Sequence, residues 1–418
     1  MKRIKSLNAL VGATVALGLV FGTVLTAQAQ AQRHTPNLVI WDFFPNTKND
    51  NERVAMLKFA DKWAAIHHAT VAEPIPPSAG FKASFIADAK RAGDILMLPD
   101  DQEGVVWNDK LIAPVSLNKS KYTADALQGA INGGKAYAYP LFLETMMIYY
   151  NKSLVPASVF KGNYTWDTLA KWSAKFANSH PGSYGMAWQW DNVYYNAEFF
   201  QGYSGGGFFS RSGSGFNPKK VLVATKGTVQ GVSYLKHIIT ESGTSLPTFL
   251  GANKGDGTAQ ALFETGKLGM IFDGPWSDGE WKQVGFNNYG VARPPAMGNG
   301  KLGYPFVGVQ DLVVNKYSKN LKLAQSLASY LSLNSGVSMY TAGGRIPAAK
   351  SALKTLAKNP ELKTYQKALG HVEAMPNIPA MGLVWTPVGN ELTLYLEGKV
   401  TATAGMKAAK AAIIKSGG

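Results

Sequence analysis

The first hundred residues alternate between apolar strand patterns and amphipathic helix patterns, and this alternation limits the chain to a small set of folds. Residues 37–43 (NLVIWDF) predict a buried strand, 52–67 a helix, 70–75 a strand, 81–91 a helix and 94–98 a third strand. Strand–helix–strand units place parallel strands side by side through right-handed crossovers. The alternation therefore predicts an α/β fold that begins with a largely parallel sheet.

The rest of the chain adds isolated strands and then ends in helices. Residues 144–152 (ETMMIYYNK) and 305–316 (PFVGVQDLVVNK) predict two long buried strands, and the glycine- and serine-rich residues 205–218 predict a loop. Almost all of the chain after residue 321 predicts helix. A tail made only of helices must pack on sheets formed earlier, which favours two α/β lobes joined by several crossings.

The amino terminus has the pattern of a cleaved export signal. A basic start (KRIK at 2–5) is followed by an apolar run over 10–25 and by small residues. This pattern predicts a signal peptide over residues 1–29 and a secreted location, extracellular or associated with the cell envelope, and periplasmic if the host has an outer membrane. The sequence has no cysteine, which excludes disulfides, thiolate metal sites and a lipid-modified cysteine anchor.

The charge balance is strongly basic but gives no support to a nucleic-acid partner. The chain has 42 Lys and Arg against 27 Asp and Glu, a net charge of +15. Basic residues are scattered in runs no longer than two, whereas a nucleic-acid surface needs them clustered on one face. The surplus comes from a shortage of acidic residues. An acid-living host is one hypothesis for it, because the pairings of carboxylates weaken as pH falls.

Motifs for catalysis and for metal binding are weak. Residues 202–206 (GYSGG) match G-x-S-x-G, but they lack the strand before and the helix after that a nucleophile elbow needs. The six histidines show no two-ligand spacing, so neither a metal nor a cofactor is predicted. Asp100 and Asp101 could form half of a glycosidase carboxylate pair. A secreted glycoside hydrolase therefore stays open as an alternative.

Aromatic side chains are the strongest functional signal. They make up 11% of the chain, with ten Trp, and several lie beside turn-forming or polar residues, where core packing is the alternative interpretation. An aromatic face combined with carboxylates and amides suits a sugar, which has an apolar ring face and a hydroxyl rim. The residues so placed are Trp188, Trp190, Tyr194, Tyr195, Trp276 and Trp385.

Several motifs, met in order along the chain, resemble those of the extracellular solute-binding proteins of sugar ABC transporters. They are residues 139–152, the segment 263–276 with FETGK and DGPW, residues 305–309 (PFVGV) and residues 375–379 (MPNIP). The last of these resembles the maltose/maltodextrin-binding branch. The resemblance implies a two-lobe periplasmic-binding-protein-like fold of type II, with hinge crossings between the lobes.

The resemblance also implies an assignment of the chain to the two lobes and a function. The amino-terminal lobe would comprise residues 33–142 and 310–335, and the carboxy-terminal lobe residues 143–309 and 336–418. The protein would be a monomer and not an enzyme. It would bind maltose or a maltodextrin and deliver it to the membrane permease of an ABC transporter. A binding protein for another oligosaccharide, such as trehalose, is the other alternative.

Six residues match the ligand-binding positions of the family. The resemblance implies that two carboxylates and one amide bond sugar hydroxyls, and that three aromatic rings stack on glucose rings. They are Asp101, Glu144 and Gln102 for the first group, and Tyr195, Trp276 and Trp385 for the second.

The chain departs from the family at several of these positions. Gln102 and Gly389 stand where the family has arginines, and Leu98 stands where it has a tryptophan. Lys82 and Ala83 replace a pair of glutamates. Fewer charged hydrogen bonds predict a changed affinity or a shifted oligosaccharide preference.

Overall fold

The computed structural model describes five stretches of the chain: residues 37–44, 51–73, 81–213, 215–251 and 255–417. The predicted signal peptide and the first residues of the predicted amino-terminal lobe lie outside them. No helix in these stretches is long and apolar enough to cross a membrane.

The described elements are named in chain order. The strands are β1 (Asn37–Trp41), β2 (Thr70–Ala72), β3 (Ile95–Pro99), β4 (Ile131–Asn132), β5 (Lys135–Ala136), β6 (Ala138–Thr145), β7 (Met147–Asn151), β8 (Tyr184–Ala187), β9 (Phe209–Ser212), β10 (Gly215–Val221), β11 (Leu268–Asp273), β12 (Tyr289–Ala292), β13 (Phe306–Val314), β14 (Ile346–Pro347) and β15 (Glu373–Ala374). The helices are α1 (Asn51–His67), α2 (Phe81–Ala87), α3 (Asp100–Asn108), α4 (Leu127–Ala130), α5 (Trp166–Ser179), α6 (Ala197–Gln201), α7 (Lys226–Glu241), α8 (Gly255–Glu264), α9 (Trp276–Gln283), α10 (Leu321–Asn334), α11 (Gly336–Gly343), α12 (Lys350–Thr355), α13 (Pro360–Ala368), α14 (Trp385–Leu396) and α15 (Ala402–Lys415).

The first sheet has the order β14-β6-β13-β3-β1-β2, with β15 paired to β13. β1 pairs in parallel with both β2 and β3, which confirms the parallel start predicted from the alternation. β13 lies between β3 and β6, is antiparallel to both, and all nine of its residues are buried. A central strand covered on both faces has a continuous apolar sequence of this kind.

The second sheet has the order β12-β7-β11-β8, and the chain enters it directly from the first. The single strand predicted over residues 144–152 is wrong: Glu144 pairs with Gly308 in the first sheet, whereas Ile148 pairs with Phe272 in the second. Only Met146 separates β6 from β7. Both halves of the segment are apolar and buried, so its periodicity carries no sign of the change of sheet.

The loop predicted over residues 205–218 is also wrong, because β9 and β10 form an antiparallel hairpin there. The glycine and serine content of the segment predicts a loop, but Arg211 and Phe216 form a cross-strand pair within it. The Arg211 guanidinium lies 4.4 Å from the centre of the Phe216 ring and also bonds Glu373 at 2.7 Å. Cross-strand contacts of this kind stabilise a sheet whose residues have low strand propensity.

The helical tail predicted after residue 321 is confirmed, with two short strands between its helices. α11 packs against α1, and Ile346 of β14 pairs with Leu143 of β6. The segment 336–347 therefore contacts the first sheet and the helix α1. The predicted helix start at Trp166 is confirmed too, since the Thr165 hydroxyl accepts a hydrogen bond from the Thr168 amide at 3.2 Å.

Three buried carboxyl groups lie between α3 and β13. Asp100, Glu103 and Asp311 are each no more than 1% exposed. Burial, with the neighbouring carboxylates as a further cause, raises the pKa of Asp100 and Glu103 well above the ordinary values, and burial raises the pKa of Asp311 to about 8. Glu103 and Asp311 lie close enough for each to influence the pKa of the other. Asp101 and Tyr122 also lie close enough to interact with this carboxyl cluster.

We expect the carboxyl cluster to make the protein less stable as pH rises. The pKa of Asp311 is about 3.8 in its ordinary state and about 8 in the fold, so the folded state binds the extra proton between these values. The free energy of unfolding should therefore fall as pH rises from 5 to 8. Urea unfolding at a series of pH values measures the slope.

Asp311→Asn mimics the neutral acid and should flatten this slope. The exposed Asp109→Asn is the matched control and should leave it unchanged. A wild-type protein that gains stability from pH 5 to pH 8 would contradict this account of the cluster.

Candidate functional site

A cavity of about 820 Å³ opens where strands of both sheets end. Its size falls within the range of roughly 300–1,000 Å³ typical of small-molecule sites. One wall comes from β6, β13 and the start of α3, and the other from residues that follow β8 and β11 and from α14. The lining residues that the argument uses are Asp101, Glu144, Tyr194, Tyr195, Trp276, Gln310 and Trp385.

Trp276 forms an aromatic wall at the start of α9. The bend after β11 lets its ring fold back over Gly274, where a Cβ atom would lie 2.1 Å from the indole. The ring packs against Tyr194 and Tyr195, with centroids 5.9 and 5.8 Å away. Both tyrosine amides donate to the Asn192 side chain, at 3.0 and 3.2 Å. Trp276 is half-buried, so its ring is both held in place and partly open to a ligand.

Trp385 forms a second aromatic wall at the start of α14. Its indole Nε1 donates a hydrogen bond to Asp101 Oδ2 at 3.1 Å. Burial raises the pKa of Asp101 to about 6, and the indole bond acts against this rise. The bond joins two residues predicted independently for the site and fixes the orientation of the tryptophan ring.

Glu144 lies at the end of β6 and is held by two side chains. Arg345 donates to Glu144 Oε1, and Gln310 Nε2 donates to Oε2 at 2.9 Å. Arg345 also bonds both carboxylate oxygens of Glu52, at 2.7 and 3.0 Å. Its guanidinium is buried and lies 5.0 Å from the centre of the Phe142 ring. A buried cation that donates to two carboxylates compensates the charge of both.

Two glycines before Arg345 make this arrangement possible. A Cβ atom at Gly343 would lie 1.7 Å from Glu52 Oε1, so only glycine leaves room for that carboxylate. Gly344 has a φ of +72°, the left-handed conformation in which a helix commonly ends. The sequence GGR thus ends α11 and turns the arginine into the protein between Glu52 and Glu144.

Five of the six predicted site residues line the cavity: Asp101, Glu144, Tyr195, Trp276 and Trp385. Gln102 is half-buried on α3 and is not among the described residues that line it. Gln310 was not predicted for the site, and Tyr194 was named among the aromatic residues suited to a sugar but not among the six predicted binding residues. The signal for Gln310 was present, because Gln310 and Asp311 are the two polar side chains in the buried strand β13.

The lining favours an uncharged ligand with hydroxyl groups. Among the described lining residues, three are acidic and none is lysine, arginine or histidine, so an anion would meet only like charge. Gly389 also lines the cavity without supplying a charge. The described part of the chain contains no group of three or more His, Asp or Glu side chains suited to a metal ion. Stacking faces and hydrogen-bond acceptors are what this cavity offers.

The similarity to known proteins is extensive. The family model for the bacterial extracellular solute-binding protein matches residues 78–364. A maltooligosaccharide ABC transporter solute-binding lipoprotein of Streptococcus pneumoniae is 30% identical over 312 residues, 73% of this chain and 72% of the relative. A galactooligosaccharide-binding protein of Bacillus subtilis is 28% identical over 313 residues, 73% and 72% of the two chains.

A solved structure extends the similarity to the whole fold. The maltose-maltodextrin binding protein of the thermoacidophilic bacterium Alicyclobacillus acidocaldarius superposes with a TM-score of 0.79 at 26% identity, covering 90% of this chain and all of that one. This likeness confirms the predicted two-lobe fold of type II periplasmic binding proteins. With a family match that spans well over half of its length, the chain belongs to the bacterial extracellular solute-binding proteins.

Proposed function

We propose that the protein is the extracellular substrate-binding component of an ABC carbohydrate importer and that its cavity binds maltose or a maltodextrin. The observation that carries this proposal is the combination of two aromatic walls, Trp276 and Trp385, with fixed carboxylate and amide groups and no basic side chain among the described lining residues. Such a surface matches the apolar faces and hydroxyl rims of neutral sugars.

The names of the relatives support an oligosaccharide ligand but divide over which one. The Streptococcus relative and the solved Alicyclobacillus structure are named for malto-oligosaccharides or maltodextrin, and the Bacillus relative for galacto-oligosaccharides. A galacto-oligosaccharide is therefore a second candidate, and trehalose stays an alternative. The motif at residues 375–379 favours the maltodextrin branch.

The contacts of the two carboxylates support binding without catalysis. Hydrolysis of a glycosidic bond needs one carboxyl group that gives up a proton and a second that acts on the opposite side of the bond. Glu144 already accepts hydrogen bonds from Arg345 and Gln310, which engage both of its carboxylate oxygens. Asp101 is engaged by the Trp385 indole. Both groups are suited to accept hydrogen bonds from sugar hydroxyls.

The partition into two lobes is part of the proposal. Two sheets that flank one cavity, with Met146 as the single residue between β6 of the first and β7 of the second, support it. We place residues 33–142 and 310–335 in the amino-terminal lobe. We add residues 336–347 to that lobe because of their contacts with the first sheet. The remainder forms the carboxy-terminal lobe. The protein acts as a monomer that is secreted and presents its sugar to the membrane permease.

Calorimetric titration against a panel of sugars tests the proposed function. The panel comprises maltose, maltotriose, trehalose, cellobiose and a β-linked galactotriose. Maltotriose or maltose should bind most tightly, without any glucose being released. Tightest binding of the galactotriose would make that the ligand class, glucose release from maltotriose would indicate a hydrolase, and no binding to any sugar would contradict the proposal.

Trp276→Ala should weaken maltotriose binding by about 5- to 150-fold, the scale of about 1–3 kcal/mol for a large aromatic contact. Trp107→Ala is the matched control, because Trp107 is also half-buried but is not one of the described lining residues. Its affinity should stay within about twofold of the wild type. Wild-type affinity in a folded Trp276→Ala variant would remove this ring from the site.

A further inference from the structure

We propose that Gln310 determines the specificity of the cavity, and that Arg345 positions it through Glu144. In this arrangement the Gln310 amide oxygen is a fixed acceptor that selects a sugar with a hydroxyl group at one point of the ligand. The inference deepens the proposed function and rests on it.

The first step is the state of Glu144. Its neighbour Arg345 is 5% exposed and bonds two carboxylates, so the cation is buried together with Glu144 and Glu52. Arginine stays protonated in proteins and has only N–H donors, so Glu144 is the acceptor in their bond. Glu144 therefore only accepts hydrogen bonds.

The second step is the orientation of the Gln310 amide. Because Glu144 cannot donate, the group of Gln310 that faces it at 2.9 Å must be the NH₂. The Oε1 atom then points away from Glu144. It is buried and accepts no hydrogen bond from any described residue, while Gln310 itself is 8% exposed and lines the cavity. A buried acceptor without a donor is costly unless a ligand or water supplies one.

The third step is the surface around this oxygen. Gln310 and Gly308 lie two residues apart on β13, so they face the same side of the strand. A Cβ atom at Gly308 would lie 3.1 Å from the Tyr194 hydroxyl, which reaches the cavity wall there. Burial, followed by the charge of Glu144, raises the pKa of Tyr194 well above its usual value, so this hydroxyl keeps its proton. An acceptor and a hydroxyl that can donate thus lie along one strand, a pattern that suits the hydroxyl rim of a sugar.

Specificity follows from the fixed direction of the amide. A ligand hydroxyl that donates to Gln310 Oε1 satisfies the acceptor, whereas a ligand lacking that hydroxyl leaves it unpaired in a closed site. Losing such a partner is expected to cost about 10- to 100-fold in affinity. Because the NH₂ group is committed to Glu144, the amide cannot rotate to adapt to a different ligand.

The experiment measures the affinity of maltotriose and of its monodeoxy derivatives for the wild type and for Gln310→Met, which keeps the side-chain length but has no amide. In the wild type, at least one monodeoxy derivative should bind about 10- to 100-fold more weakly than maltotriose. Gln310→Met should reduce that ratio to within about twofold for one derivative and leave the ratios for the others in place. The exposed Gln128→Leu is the matched control and should keep every ratio.

Arg345→Lys tests the positioning role, because lysine keeps the charge but not the forked geometry. It should reduce discrimination for the same derivative as Gln310→Met. A purely structural role would lower thermal stability and weaken all derivatives alike, and that result would overturn the part assigned to Arg345. Unchanged ratios in Gln310→Met, with maltotriose still bound by the wild type, would overturn the inference while leaving the proposed function intact. A wild type that binds none of the sugars would overturn both.

Discussion

The buried guanidinium of Arg345 is the interaction on which the arrangement of the site depends. It joins Glu52 on α1 to Glu144 at the end of β6, residues that lie 293 and 201 positions away from it in the chain. These contacts tie the tail segment after α11 to the first sheet at the point where the chain leaves that sheet. Removing one partner of a buried ion pair costs about 3–5 kcal/mol, because the remaining charge is left unpaired. The ion pairs of Arg345 with Glu52 and Glu144 therefore fix both the passage of the chain from β6 to β7 and the Glu144 carboxylate that faces the cavity.

The few acidic residues of the chain are used selectively. Several are buried without a cation, and burial raises the pKa of each member of the carboxyl cluster of Asp100, Glu103 and Asp311. Glu198 is a further example, since burial raises its pKa to about 8 although Trp166 donates to it at 2.5 Å. Groups of this kind favour the folded state at low pH.

Local patterns predicted much of the fold. The alternation over residues 37–98, the Thr165 cap and the buried strand that became β13 each depend on neighbouring residues, and the structure confirms all three. Crossings and pairings between distant segments were not predictable in this way. The break at Met146 and the cross-strand contact of Arg211 with Phe216 arise only when the sheets form.

The site, like the fold, could be predicted from the sequence only in part. The resemblance to the solute-binding family implied six binding residues, and the structure brings five of them to one cavity. Gln310 was missed because its importance comes from Glu144, its partner across the β6–β13 strand pair. Periodicity shows that a polar residue lies in a buried strand, but it does not show which group that residue bonds.

A crystal structure of the protein with maltotriose tests the central claim most directly. The account predicts that the sugar lies in the cavity against the rings of Trp276 and Trp385, with one hydroxyl donating to Gln310 Oε1 at about 2.7–2.8 Å. It also predicts that the bonds from Arg345 and Gln310 to Glu144 are retained in the complex. A sugar bound elsewhere, or bound in this cavity with the Gln310 amide turned away from Glu144, would contradict it.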